Sequence, residues 1–429
     1  MGMVDYAGPF DPTFALRALS RAALARLGRE YMMVGHLVDR GLMPHVAERF
    51  GAEGIEGVAI DEWMGASPVY TARMRRAFGI EADDVPAIMK ALQLDVGAPH
   101  QYMDFRFEVT APDRGSFWLQ SCGALLDVEP YGEHAVFSMC HAIEDPTFDA
   151  TAIATNPRAR VRPVHRPPRQ PAGRVPHCHW QITIDPAAEP LVERELTRRV
   201  AASRLANTVL PRPSDAEEGG LKDYAGPFDP TFQLEDLAHG TLVVALEEFL
   251  LQCHLLLRAA DFAIRERADA DVARDMLLKQ WVGVAWVATE RLCHAMRIDG
   301  TDVASLLKVV QLHPSFPPEY APVRCELVDE ERGRFWLEDC AGLAEPEPAG
   351  WLSLLGRGEE RALNAIIQAR NPRARCRAIE PTGAARCAWE ITIDDQAAPA
   401  TAPPEVALVR LSGSSRFQFA AGNEFRARL

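Results

Sequence analysis

The chain contains an internal repeat. Residues 5–14, DYAGPFDPTF, recur letter for letter at 223–232, an offset of 218 that also relates Trp63 to Trp281. A constant offset over this length indicates two tandem copies of one domain. The total length of 429 residues agrees, because it is too long for one ordinary domain and fits two of roughly 200 residues each.

The two copies differ in one stretch. After Cys122 the offset falls, so that Cys178 matches Cys387 at an offset of 209 instead of 218. The first copy therefore carries nine extra residues (218 − 209), all of them between Cys122 and Cys178. The predicted boundaries are a first repeat at 1–185, a linker with a helix at 186–222, a second repeat at 223–394 and a C-terminal extension at 395–429.

Hydrophobic periodicity predicts the same order of elements in both copies. Apolar residues with helical spacing follow an Asp-Pro pair at 15–40 and recur at 61–78. A third helix follows Asp84, a candidate N-cap, with Pro86 in its first turn. From residue 105 the pattern changes to alternation and turns, which is typical of antiparallel strands. Each copy is thus predicted to be a helical part followed by an antiparallel sheet, an α+β fold. The helices predicted for the second copy are 234–265, 275–296 and 302–312.

Composition excludes several classes of function. The net charge of −14 argues against nucleic-acid binding, which needs basic stripes. No apolar run approaches the ~20 residues of a membrane span, and the N-terminus lacks the basic start and apolar stretch of a secretory signal. We therefore expect a cytoplasmic protein without a membrane or nucleic-acid partner, whose nine cysteines are thiols or metal ligands.

Histidine and cysteine distinguish the first copy from the second. Cys122 and Cys178 have counterparts in Cys340 and Cys387, but Cys140 has none. Five of the twelve histidines lie in the same part of the first copy, and the corresponding part of the second has none. These five are His134, His141, His165, His177 and His179. The pattern places the candidate site in the first copy.

These residues favour a metal site. Zinc takes thiolate, imidazole and carboxylate ligands, which strands can bring together from distant positions. We expect Cys122 after one strand, Cys140 at the end of a second (AVFSMCH, 135–141) and Cys178 at the start of a third. One ligand set is Cys122, Cys140 and Cys178 with one histidine. The other is His141, His177 and His179 with Glu144 or Asp145. Strand alternation puts His177 and His179 on one face and Cys178 on the other. Zinc is the predicted metal, with iron as the second choice.

Two other interpretations remain open. Cys140 or Cys178 could be a nucleophile activated by a neighbouring imidazole such as His141, with Glu144 or Asp145 as general base. Alternatively, the cysteines are packed in the core and the histidines lie in a polar loop. Glu62 becomes Gln280 in the second copy, so it faces either a pocket of the first copy or water.

Several segments carry a family resemblance. DYAGPFDPTF, DVPAIMKALQL, FWLQSC, CHAIEDP, NPRARVRP and PHCHW resemble a bacterial family of uncharacterised proteins. Residues 117–184 are similar to the L-2-amino-thiazoline-4-carboxylic acid hydrolase family, through Cys122, Cys140 with Glu144 and Asp145, and Cys178. That resemblance implies hydrolysis of a small cyclic C–N or C=N bond. The cysteine pattern also resembles vinyl-4-reductase-type small-molecule-binding domains, which implies a structural zinc, although a proline-rich segment, HRPPRQP, replaces their tight hairpin.

The predicted function follows from the site and the resemblance. We expect a hydrolase-like enzyme acting on a small molecule, in which zinc lowers the pKa of a bound water. The alternative is a small-molecule-binding module with a structural zinc and no catalysis. The second copy is then a degenerate repeat packed pseudo-symmetrically on the first, as an internal pseudo-dimer in a monomer or within a homodimer.

Overall fold

The computed structural model describes residues 2–211 and 219–429. Each copy consists of helices followed by a four-stranded antiparallel sheet, which confirms the predicted α+β class. The first copy comprises α1 (Arg21–Ala77), α2 (Val85–Leu92), β1 (Met103–Ala111), β2 (Arg114–Cys122), α3 (Gly123–Val128), α4 (Glu133–Phe137), α5 (Glu144–Ile153), β3 (Ala159–His165) and β4 (Cys178–Ile184), followed by α6 (Glu195–Ala201). The second comprises α7 (His239–Arg265), α8 (Ala270–Met296), α9 (Val303–Leu312), β5 (Val323–Leu327), β6 (Arg332–Leu337), α10 (Glu360–Gln368), β7 (Ala374–Ile379) and β8 (Cys387–Ile393), followed by α11 (Pro404–Val409) and α12 (Gly422–Arg426).

The two sheets have the same topology. Their strand orders are β1-β2-β4-β3 and β5-β6-β8-β7. In β2, Phe117 and Leu119 are buried, whereas Trp118 between them is only partly buried, as alternation along a strand requires. Leu119 pairs with Cys178 and Trp118 pairs with His179. Cys178 therefore faces the core, and His179 lies on the opposite face of the sheet.

Helix α1 consists of two helical segments that meet at a kink. The sequence predicts separate helices at 15–40 and 61–78, and the structure extends both of them toward Gly51, so that helical turns cover most of the span from Arg21 to Ala77. Gly51 alone interrupts the helical backbone of α1, at φ 71° and ψ −167°, a conformation that glycine adopts at little cost. The intervening turns stay helical because Leu42 and Val46 are fully buried against residues of α7 and α8.

The strand predicted at 135–141 is wrong. This stretch is the end of α4 followed by a π-helical segment, Ser138–Ile143, that leads directly into α5. Val136, Met139 and Cys140 are buried with i, i+3, i+4 spacing, which is a helical face. The run is too short for its apolar pattern to separate a strand from a helix. Cys140 and His141 therefore lie on a helix instead of at a strand end.

The repeated DYAGPFDP segments cross between the copies. The Tyr6 hydroxyl donates a hydrogen bond to Gln311 Oε1 at 2.8 Å, and the Tyr224 hydroxyl donates to Gln93 Oε1 at 2.9 Å. Each tyrosine thus anchors its segment on a helix or helix end of the other copy. The arrangement is reciprocal, as in an isologous interface between identical subunits.

A second reciprocal contact is buried between the helices. Arg73 Nη2 lies 2.8 Å from Glu248 Oε1, and Arg291 Nε lies 2.7 Å from Glu30 Oε2. The two ion pairs are related by the offset of 218. The remaining guanidinium N–H groups donate to carbonyls of the segments that follow each sheet. The acceptors are the carbonyl oxygens of Ala206, Thr208, Ser414 and Phe417.

The segments after each sheet have equivalent roles. The helix predicted in the linker is present as α6 and packs on α1 and α7. Its counterpart after the second sheet, α11, packs on α8 and α1. The polar link predicted to be flexible at 211–220 falls largely on residues 212–218, which lie outside the described residues. The C-terminal extension begins without regular structure and then returns to the first copy.

Within residues 2–211 and 219–429, α7 is the one helix long and apolar enough to cross a membrane by length and composition. However, 89% of its most apolar 18-residue stretch is buried inside the protein. Its apolar surface packs chiefly against α1.

Candidate functional site

A cavity of about 630 Å³ lies in the first copy. Its size is within the range of small-molecule sites, roughly 300–1,000 Å³. Side chains of α1, β1, the α3–α5 region and the C-terminal extension enclose it, and most of them are apolar. Prominent apolar residues of the wall are Met43, Ala59, Trp63, Met103, Phe105 and Phe148. Leu408 and Leu411 of the C-terminal extension close one side.

In the second copy, a tryptophan occupies the corresponding space. Trp351 stacks on Trp281 with ring centroids 5.7 Å apart, and its Nε1 donates to Gln280 Oε1 at 3.1 Å. At the offset of 218, Trp281 corresponds to Trp63 of the cavity wall and Gln280 to Glu62. Trp351 is 1% exposed, so this side chain fills the space beside Trp281 and Gln280 in the second copy.

Asp127 organises one polar side of the cavity. It accepts hydrogen bonds from the Tyr102 hydroxyl at 3.0 Å and from the Gly413 N–H at 2.8 Å, and Ser412 Oγ also donates to it. His36 Nε2 and Arg40 Nε each lie 3.5 Å away. Burial opposes ionisation, but the hydrogen bond and charge of His36, the hydrogen bond from Ser412 and the charge of Arg40 outweigh it and lower the pKa of Asp127 to about 2. This carboxylate is therefore charged and fully partnered, and it attaches the C-terminal extension to the first copy.

Two carboxyl groups of α1 have much poorer partners. Asp39 lines the cavity, and its closest cationic atom is Arg40 Nη1 at 3.4 Å. Glu62 is completely buried, and neither of its carboxyl oxygens has a hydrogen-bond partner within the described part of the chain. Burial raises the pKa of Glu62 well above its usual range, and the charge of Asp39 adds to the rise. Both effects favour the protonated form of Glu62.

Glu144 faces the cavity at the first turn of α5. Its Oε2 is buried without a hydrogen-bond partner among the described residues. Burial raises the pKa of Glu144 to about 8, and Asp145 adds to the rise, whereas Arg166 and Arg40 oppose it. A carboxyl group with this pKa can both donate and accept a proton near neutral pH.

The three predicted cysteines lie around Glu144. Cys122, Cys140 and Cys178 are all buried, and the charge of Glu144 raises the pKa of each thiol. Burial is the larger cause in every case, and it raises the pKa of Cys122 to about 12. Such thiols are protonated and are poor nucleophiles. The structure thus brings together the cysteine ligand set and Glu144, in a form that favours packing over nucleophilic catalysis.

The predicted histidines are dispersed. His177 Nδ1 accepts the Cys122 N–H at 3.0 Å, which holds the end of β2. His141 Nε2 donates to the Pro167 carbonyl at 2.7 Å. His179 packs against Trp118 on the outer face of the sheet. His141, His177 and His179 therefore do not converge, and Asp145 instead forms an ion pair with Arg166.

The candidate ligands of the described residues do not form a metal site. Among residues 2–211 and 219–429, no group of three or more His, Cys, Asp or Glu has an arrangement that could hold a metal ion. Cys122, Cys140 and Cys178 lie near one another, but they do not form such a group. Zinc or iron thus stays a prediction from the sequence.

Sequence reasoning missed the polar residues of α1 and the C-terminal contribution. Asp39 and Arg40 lie in an otherwise apolar stretch of the helix, and Asp127, the second partner of Arg40, comes from α3. A signal was present in the repeat, because Asp39 corresponds to Leu257 whereas Arg40 corresponds to Arg258. A position that is charged in one copy and apolar in the other indicates a site in the copy that carries the charge.

Comparisons of the chain with protein-family models, with curated proteins and with solved structures find no match.

Proposed function

We propose that the first copy binds a small organic molecule in its cavity and that the second copy supports it. The supporting observation is the contrast between the copies. The same fold occurs twice in one chain, and the second copy fills with Trp351 the space beside Trp281, whereas the first has an open cavity beside the equivalent Trp63. Filling apolar space with side chains stabilises a core, so an open cavity of about 630 Å³ is retained at a cost in stability. Ligand binding is a reason for retaining it.

The lining suits a molecule with an apolar body and a polar group. Aromatic and aliphatic side chains form most of the wall, and a few polar groups converge on one side, as in most small-molecule sites. All nine cysteines are free thiols, and we propose on this basis that the protein acts in the cytoplasm.

Glu144 favours a second candidate function, acid–base catalysis on the bound molecule. Its pKa of about 8 keeps most of the group protonated at neutral pH, so it can give a proton to a leaving nitrogen or oxygen atom. The resulting carboxylate can then take a proton from water. This is the role that a hydrolase acting on a small C–N or C=N bond requires, and it needs only Glu144 and a water.

Binding can be tested with Nile red, an uncharged dye whose fluorescence rises in apolar sites. We expect the wild-type protein to bind the dye and Ala59→Trp to lose binding, because Ala59 is a small, buried residue of the cavity wall. Ala59→Leu should weaken binding, since Leu277 stands at the equivalent position of the second copy. Val192→Trp is the control, because Val192 is 83% exposed and lies away from the cavity. Equal dye binding by wild type and folded Ala59→Trp would contradict the proposal.

A further inference from the structure

The cavity wall has more carboxyl groups than cations. Among its described residues, Arg40 is the one guanidinium or ammonium group. His36 Nε2 also lies 3.5 Å from Asp127, and burial lowers the pKa of His36, although the hydrogen bond to Asp127 opposes this shift. Four carboxyl groups also line the cavity, namely Asp39, Asp95, Asp127 and Glu144. Arg40 is shared between Asp39 and Asp127, at 3.4 and 3.5 Å, so it compensates one of these two charges at most.

The carboxyl groups differ in how many hydrogen bonds they accept. Asp127 is fully partnered, and Asp95 accepts from the Tyr70 hydroxyl at 2.9 Å and the Gly97 N–H at 2.7 Å. Asp39 forms one ion pair, with Arg40 at 3.4 Å, and Glu62 beneath the wall has two buried oxygens without a partner, within the ranges that the structure describes. Buried polar groups are normally satisfied, so Glu62 lacks a partner, and Asp39 can still accept a hydrogen bond from the cavity side.

The contacts of Trp351 in the second copy indicate which kind of group satisfies the position of Asp39 and Glu62. There the Trp351 ring stacks on Trp281 at an interplanar angle of 8°, and its indole N–H donates to Gln280, the counterpart of Glu62. Leu257, the counterpart of Asp39, lies beside the backbone of Gly350, next to Trp351. Trp351 thus presents a flat ring and an N–H donor at the site equivalent to the cavity of the first copy.

We propose that the first copy takes a planar aromatic or heteroaromatic cation, with its ring on Trp63 and its protonated nitrogen on Asp39. Trp63 lines the cavity, as the stacking requires. The change from Leu257 to Asp39 replaces an apolar neighbour with a carboxylate, so an uncharged indole suits the second copy and a cation suits the first. A cation over an indole ring gains further attraction from the ring quadrupole. This inference rests on the proposed binding function and names its ligand class.

Three probes with the same ring separate the charge from the ring. Tryptamine carries an ammonium group, tryptophol a hydroxyl group and indole-3-propionate a carboxylate, and each is titrated against bound Nile red near neutral pH. We expect tryptamine to displace the dye at a concentration at least about tenfold lower than tryptophol, the gain of one charge-assisted hydrogen bond. Indole-3-propionate should be the weakest of the three.

The variants assign the preference to one residue. In Asp39→Asn and Asp39→Leu, tryptamine should displace the dye only at the concentration that tryptophol needs, while both variants still bind the dye. Two variants are used so that the test remains possible if one of them misfolds. Val192→Trp should keep the wild-type order. Equal displacement by tryptamine and tryptophol in the wild-type protein overturns the inference but leaves the proposed binding function intact. Absence of any Nile red binding overturns the proposed function as well. A tryptamine preference that survives in both Asp39 variants also overturns the assignment.

Discussion

The raised pKa of Glu144 predicts how the stability of the protein depends on pH. Burial raises its pKa from 4.5 to about 8, so the folded protein resists losing this proton whereas the unfolded chain loses it at the ordinary pKa. The stabilisation is fully present below about pH 4.5 and is lost as the pH rises through about 8. Between these values, the free energy of unfolding should fall by about 1.4 kcal/mol per pH unit relative to a variant without the group.

The total effect follows from the size of the shift. The rise from 4.5 to about 8 corresponds to about 5 kcal/mol at about 1.4 kcal/mol per unit. The Glu144 side chain is partly accessible to solvent, so about 5 kcal/mol is the upper limit of the expected change. Glu144→Gln removes the titration. Its stability relative to wild type should therefore rise steadily from about pH 5 to about pH 9.

Urea denaturation of both proteins across this pH range measures the difference. Glu247→Gln is the matched control, because burial raises the pKa of Glu247 in the second copy to about 8 as well, with Glu319 and Glu248 contributing. Both variants should flatten the pH dependence. Only Glu144→Gln should also change activity on a substrate or probe bound in the cavity. Parallel stability curves for wild type and Glu144→Gln would refute the assignment of a protonated Glu144.

Two further predictions concern the second copy and the metal. Trp351→Ala should lower the free energy of unfolding by about 3–5 kcal/mol, which denaturation measures. It should also create a second dye site, which the stoichiometry of Nile red binding measures. A folded variant with one dye site would show that Trp351 does not fill an equivalent cavity. If the cysteine cluster holds zinc, elemental analysis should find about one zinc per chain, with iron as the second possibility, and Cys140→Ser should lose it. No metal in wild-type protein purified without chelators would leave the three thiols as core residues.

The sequence predicted features that depend on local or repeated patterns. The offset of 218 revealed the two copies, and Asp84 caps α2 as expected by accepting the Ala87 N–H at 3.0 Å. Cys122, Cys140 and Cys178 lie near Glu144, with Cys140 on a helix instead of a strand, and their role as metal ligands stays a prediction.

The features that were missed depend on contacts between distant segments. Asp127 is partnered by Ser412 and Gly413, 285 and 286 residues away, and no local pattern connects these positions. The three candidate histidine ligands have separate partners in the structure, because His177 accepts the N–H of Cys122, His141 contacts the Pro167 carbonyl and His179 packs on Trp118. Whether a polar residue meets its partner is decided by packing, which periodicity does not describe.

The crossed N-terminal segments have a consequence for how the protein is made. Tyr6 is held by Gln311, 305 residues later, and Gln93 is held by Tyr224, 131 residues later. A ribosome that has just completed the first repeat has therefore produced a domain whose α2 region still lacks its neighbour, and whose own first residues have nowhere to dock. The two repeats follow one another in the sequence, but the two copies fold as a pair. The pair can be completed only after most of the second repeat has been synthesised.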